Sequence, residues 1–205
     1  MKCLLHLGQL LASTALLACL HSPPAASGVL ESYQLDSAVT TFSLEDLGGD
    51  TTQLTQHRGK VLLVNFWASW CPSCIKEMPS LQRLQQRLGD QPFTILTINV
   101  GEQKYKVWKF VQLINLTLPV LLDPKSRTFN DWGSSILPTS FLLDRQGRVR
   151  YRAQGDLEWD SDEMVSLINT LLTEHKIPPG KRQDSLPSHL PAAAAEKQLT
   201  GTVSK

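Results

Sequence analysis

Cysteine is scarce in this sequence, and the partners it lacks exclude most of what it could be doing. Among 205 residues only Cys3, Cys19, Cys71 and Cys74 are cysteine. A small exported domain that depends on staples carries several bridges closing long loops, and these four cannot provide them. A bridge across the gap from Cys71 to Cys74 would remove little unfolded-state entropy, because that stabilisation grows with loop length. There is no second Cys-x-x-Cys and no His pair, so a structural zinc site lacks its four ligands. The residue after the second cysteine is Ile75, where a c-type haem site needs His. Excess charge is missing too. The net charge of +1 gives no reason to invoke nucleic acid or an acidic substrate. No internal repeat is visible.

What is present begins with an apolar run from about Leu4 to Leu20, preceded by Lys2 and followed by small residues. That layout predicts an export signal over 1–27, with an uncleaved anchor as the alternative, since the run is at the short end of what spans a bilayer. Within it, "LLAC" ending at Cys19 resembles a lipobox. The alternatives are lipidation of Cys19, which would anchor the chain to a membrane, and ordinary cleavage around Ser27. Either way the chain is expected outside the cytoplasm. Residues 28–38 read as a linker, 39–176 as one folded domain, and 177–205 as a disordered tail rich in Pro, Ser, Ala and charge.

Inside the domain the pattern alternates. Two short strands flank a Gly48-Gly49-Asp50 turn. "VLLVNFW" (Val61–Trp67) is a continuous apolar run, as in a strand buried on both faces. A helix is predicted from about Cys71 to Leu88, with a kink at Pro79. A second buried strand follows at Pro92–Val100, then a helix over Lys104–Leu116, a short strand at Leu118–Asp123 and a short helix at "SRTFNDWG". A hairpin turning at Gln146-Gly147 and a closing helix over Asp160–Glu174 complete the series. That order predicts an α/β sandwich around a central mixed sheet.

The chemistry concentrates in "VNFWASWCPSCIKEMP", Val64–Pro79. A thiolate attacks a disulfide, whereas a thiol does not, so a redox pair needs one sulfur with a lowered pKa and a second nearby to resolve the mixed disulfide. Placing Cys71 at a helix N-terminus meets the first need, because free N–H groups and the macrodipole favour negative charge there. Pro72 suits the first turn, where its missing N–H costs nothing. Cys74 lies almost one turn on, as the resolving thiol. Trp70 and Trp67 supply apolar surface through which a partner could dock. Copper binding by the two thiolates remains a chemical alternative.

"VLLVNFWASWCPSC", followed some sixty residues later by "LPTSFLLD", resembles the thioredoxin superfamily, and more closely the extracytoplasmic TlpA/ResA/DsbE-like thiol:disulfide oxidoreductases. The resemblance runs from about Val39 to Leu172. It implies a thioredoxin-like three-layer sandwich with a central mixed β-sheet flanked by helices, a TlpA-type N-terminal β-hairpin and a central insertion at about Gly101–Asp123. It also implies that Pro138 is a cis-proline facing the disulfide, where it turns the backbone toward an incoming peptide. Leu137 and Thr139 stand beside it and join Trp70 and Pro72 as docking residues. Thioredoxin proper carries a buried Asp where this chain has Asn65, which cannot take a proton. Glu77, one turn after Cys74, is then the proton carrier, its pKa raised by burial; the alternative is a solvated helix residue paired with Lys76 or Arg83. Glu102, closing "INVGE", either faces the site or is a loop carboxylate. No cofactor beyond the Cys71–Cys74 disulfide is implied.

With no cation between the cysteines, the couple is expected to be reducing. The resemblance implies a membrane electron donor of the DsbD or CcdA type, and exported cysteine proteins as substrates, apocytochrome c among them. The alternatives are a disulfide oxidant or isomerase, and a copper-binding or noncatalytic module.

Overall fold

The computed structural model describes residues 28–33 and 41–174. The expected export signal, Cys19 and the C-terminal tail lie outside them. The chain runs β1 (Val29–Ser32), β2 (Ser43–Glu45), β3 (Thr51–Gln53), β4 (Val61–Trp67), α1 (Pro72–Arg87), β5 (Phe93–Val100), α2 (Lys104–Leu113), β6 (Val120–Asp123), α3 (Arg127–Asp131), β7 (Thr139–Leu143), β8 (Val149–Gln154) and α4 (Asp162–Thr173). Six strands form one sheet in the order β1-β8-β7-β4-β5-β6, and β2 and β3 form a separate hairpin. β4 pairs in parallel with β5 and antiparallel with β7, so the sheet is mixed.

β4 is buried along its whole length, as its apolar run requires. Its residues alternate between two cores. Val61, Leu63 and Trp67 face α1, α2 and α4, where Leu81, Leu84, Val107 and Ile168 pack. Leu62, Val64 and Phe66 face the other layer, with Phe42, Phe129 and Trp132. Phe66, Trp132 and Phe141 meet there edge to face, with ring centroids 5.1–6.1 Å apart. The same alternation directs Asn65 of β4, Asn99 of β5 and Ser140 of β7 toward the helices that carry the site.

Two expectations change. Part of the stretch read as linker is the edge strand β1, hydrogen-bonded along β8 from Val29↔Gln154 to Ser32↔Tyr151. Its residues are mostly exposed, so no apolar alternation marks it, and the pairing is supplied by β8. The helix after β5 stops at Leu113, short of Leu116, because Asn115 takes a left-handed conformation, φ 50°. Asn tolerates that conformation and ends helices with it.

Candidate active site

Cys71 sits at the junction of β4 and α1 as the helix N-cap, and its Sγ accepts from the Cys74 backbone N–H at 3.2 Å. Pro72 opens the helix. Cys71 and Cys74 are joined in a disulfide with Cα atoms 5.3 Å apart. Cys74 is wholly enclosed and Cys71 is 4% exposed, so the outer sulfur is the one that a partner can reach. The Leu137–Pro138 peptide bond is cis. Among the described residues, no three or more His, Cys, Asp and Glu side chains gather as a metal site.

Trp70 is 64% exposed, and beside the half-buried Leu137 it lines a groove of about 310 Å³ with Val100, Gly101 and Phe129. Pro72 is exposed. Thr139 is not. It is fully buried, paired to both β4 and β8, and its Oγ1 donates to the Ile136 carbonyl at 2.7 Å. As the first residue of a central strand, it has no surface to offer.

Glu77 is buried in α1, not solvated, and neither Lys76 nor Arg83 pairs with it. Its Oε1 accepts from Asn65 Nδ2 at 2.7 Å. Its Oε2 accepts from Trp159 Nε1 at 3.1 Å and from the Leu157 backbone N–H at 3.3 Å. Asn65 Nδ2 also donates to Ser140 Oγ at 2.9 Å, which ties β7 into the cluster. Burial pushes the Glu77 pKa up to about 7, although the hydrogen bonds from Asn65, Trp159 and Leu157 pull the other way; the nearby charge of Asp156 adds to the rise.

The loop that brings Leu157 and Trp159 to Glu77 is fastened along α1. Lys76 pairs with Asp156 at 2.6 Å, Arg83 with Glu158 and Asp160, and Arg87 with Asp162 at 2.6 Å. Between them the Ser80 hydroxyl accepts from the Trp159 N–H at 3.1 Å and shares its one proton between the Glu77 carbonyl at 2.8 Å and the Leu157 carbonyl at 3.2 Å. Sequence inspection singled out Asn65 and Glu77 separately. It missed their direct contact and missed Trp159, whose only signal was a lone aromatic in an acidic loop.

Glu102 faces the loop before the cysteines. Its carboxylate accepts from Ser69 N at 2.6 Å, Ser69 Oγ at 2.7 Å, Asn99 Nδ2 at 2.9 Å and Lys106 Nζ at 2.7 Å. Burial alone would raise its pKa, but the bonds from Lys106, Ser69 and Asn99 outweigh burial and hold it at about 2.

Sheet order, the helix-capping cysteine and the cis-proline together define a thioredoxin-like scaffold with a Cys71–Cys74 disulfide at its helix N-terminus. The chain belongs to the AhpC/TSA family, which matches residues 35–152. It is 40% identical to the thiol-disulfide oxidoreductase ResA of Geobacillus thermodenitrificans over 114 residues, which make up 56% of this chain and 66% of that one, just under two thirds. Against ResA of Geobacillus kaustophilus the identity is 37% over 121 residues, 59% of this chain and 70% of the relative. Among solved structures, a protein assigned as thiol:disulfide interchange protein DsbE from Chlorobium tepidum superposes with a TM-score of 0.63 at 27% identity, covering 69% of this chain and 99% of that one. StoA from Bacillus subtilis superposes at 0.55 with 26% identity, covering 64% and 98%.

Proposed function

We propose that this chain reduces disulfides in exported proteins by dithiol exchange. In the reduced state the Cys71 thiolate attacks a substrate disulfide, forming a mixed disulfide and releasing one substrate thiolate, which takes a proton. Cys74 then loses its proton and attacks Cys71 Sγ. This forms the Cys71–Cys74 disulfide and expels the second substrate thiolate. Glu77 is the proposed acceptor of the Cys74 proton, and Leu137, Trp70 and Pro72 form the docking surface, beside the cis bond into the buried Pro138. The observation that carries this reading is the placement of Glu77: a buried carboxylate one turn from the resolving cysteine, held only by neutral donors among the described residues and titrating near pH 7. The reducing direction is supported by the absence of a charged residue between the cysteines, where Pro72 and Ser73 stand.

By the same resemblance the substrates are cysteine proteins outside the cytoplasm, including apocytochrome c, and a membrane carrier of the DsbD or CcdA type renews the dithiol. Export through residues 1–27, with or without lipid on Cys19, fits that setting. A Cys74→Ser chain tests the scheme. Expressed in a cell with an intact envelope, it should accumulate mixed disulfides through Cys71 that a reductant releases. An empty trap, or a dithiol potential close to that of strong oxidants, would overturn it.

A further inference from the structure

The four donors on Glu102 have no part in the proton transfer just described, yet Glu102 and its partner Ser69 each adjoin a residue that lines the groove. Trp70 forms one wall, and the residue before it, Ser69, gives both its N–H and its hydroxyl to Glu102. Gly101 also lines the groove and directly precedes Glu102. There the chain turns in a left-handed conformation, φ 74°, and a Cβ would lie 3.3 Å from Ser126 Oγ. One carboxylate therefore joins the loop after β4 to the start of α2. Asn99 at the end of β5 and Lys106 in the first turn of α2 fix it from behind. Each of its oxygens accepts two bonds, so it has no free lone pair with which to act on a substrate.

We propose that Glu102 is a positioning residue for polypeptide substrates: it holds Trp70 in place as the groove wall, so that the chain flanking a substrate cysteine is seated beside Cys71. This rests on Cys71 and Cys74 being the exchanging pair proposed above. A polypeptide disulfide must bring its backbone and neighbouring side chains across Trp70 and Leu137 to reach Cys71. A small disulfide makes no such contact. Loss of the clamp therefore weakens exchange with the first and spares the second. Glutamine has nearly the shape of glutamate, but it carries no charge and its amide sets an N–H₂ on the side of the Ser69 hydroxyl and Lys106: the hydroxyl must turn round to accept, Lys106 loses its partner, and the hold on the Ser69–Trp70 loop weakens.

The test compares the reduced full-length chain with its Glu102→Gln variant on two oxidants, a disulfide-linked model peptide and hydroxyethyl disulfide. The expected result is about a tenfold fall in the second-order rate constant with the peptide. The rate with hydroxyethyl disulfide should stay within roughly twofold, and the dithiol reduction potential should not change. Ser69→Ala, which loses the hydroxyl bond and keeps the backbone one, should show the same split at smaller size and covers the case in which Glu102→Gln does not fold. An equal fall on both oxidants, an altered potential, or no fall in either variant overturns the positioning role. A wild-type chain that exchanges with neither oxidant overturns the dithiol reading, and this inference with it.

Discussion

Trp159 donates its indole N–H to Glu77 across 3.1 Å, and both side chains are closed to solvent. Three neutral donors on one buried carboxylate create a balance. Hydrogen bonds to the charged form favour ionisation, and removal from water opposes it. Burial prevails here, because no cation is among the donors and Asp156 adds a like charge. A group balanced in this way can hold or give up a proton near neutrality, as exchange between thiols requires.

That balance sets a slope of stability against pH. The Glu77 pKa is raised from an ordinary 4.5 to about 7 on folding, so between those values the folded chain binds more protons than the unfolded one. Stability is greatest below pH 4.5 as far as this group is concerned, and falls as pH rises toward 7. The full loss is about 3 kcal/mol. Denaturant midpoints of the oxidised chain should decline between about pH 5 and 8, and Glu77→Gln should flatten that decline. An unchanged slope in the variant would remove Glu77 as its source.

Kinetics should report the same carboxylate. With Glu77→Gln, closure of the mixed disulfide by Cys74 should slow by about a hundredfold near pH 7, the low end of what a positioned acid or base contributes. The inflection near that pH should disappear from the rate profile. Trp159→Phe removes one donor to the charged form, so it should move the inflection to higher pH without abolishing it. Stopped-flow measurement of the second exchange step across pH separates these outcomes.

The clasp along α1 separates surface from buried contributions. Arg83 pairs with Glu158 and Asp160 at the surface, where water and salt screen such pairs and they add little to stability. Ser80 is buried and bonds to both the Leu157 carbonyl and the Trp159 N–H. Losing it leaves the buried Trp159 N–H without that acceptor at a cost of about 1–3 kcal/mol. Chemical denaturation should therefore rank Ser80→Ala as more damaging than Arg83→Ala, and only the Arg83 effect should shrink in high salt.

How much of this was legible depended on whether the signal was local. The apolar run Val61–Trp67, the proline-led helix after Cys71 and the hairpin at Gln146-Gly147 are local, and the structure places each within a few residues of its expected bounds. The dithiol was legible for the same reason. The pocket of Glu77 was not, because Trp159 reaches it from 82 residues away and nothing near Glu77 announces that partner. β1 was missed because an exposed edge strand has no buried face to pattern. Thr139 was misjudged because a motif places a residue beside the site without saying which way its side chain points.

Glu102 supplies the opposite limb of the pH profile. Folding lowers its pKa from 4.5 to about 2, so its contribution is complete above pH 4.5 and is lost as pH falls through 2. Glu77 begins to lose its contribution where that of Glu102 becomes complete, so the pair favours a stability maximum near pH 4.5–5. Glu102→Gln should remove the rise on the acid side and leave the decline above pH 5. Glu77→Gln should do the reverse, and the double variant should lose both limbs additively, since the two carboxylates share no hydrogen-bond partner. A maximum that stays in place in all three variants would assign the profile to other groups.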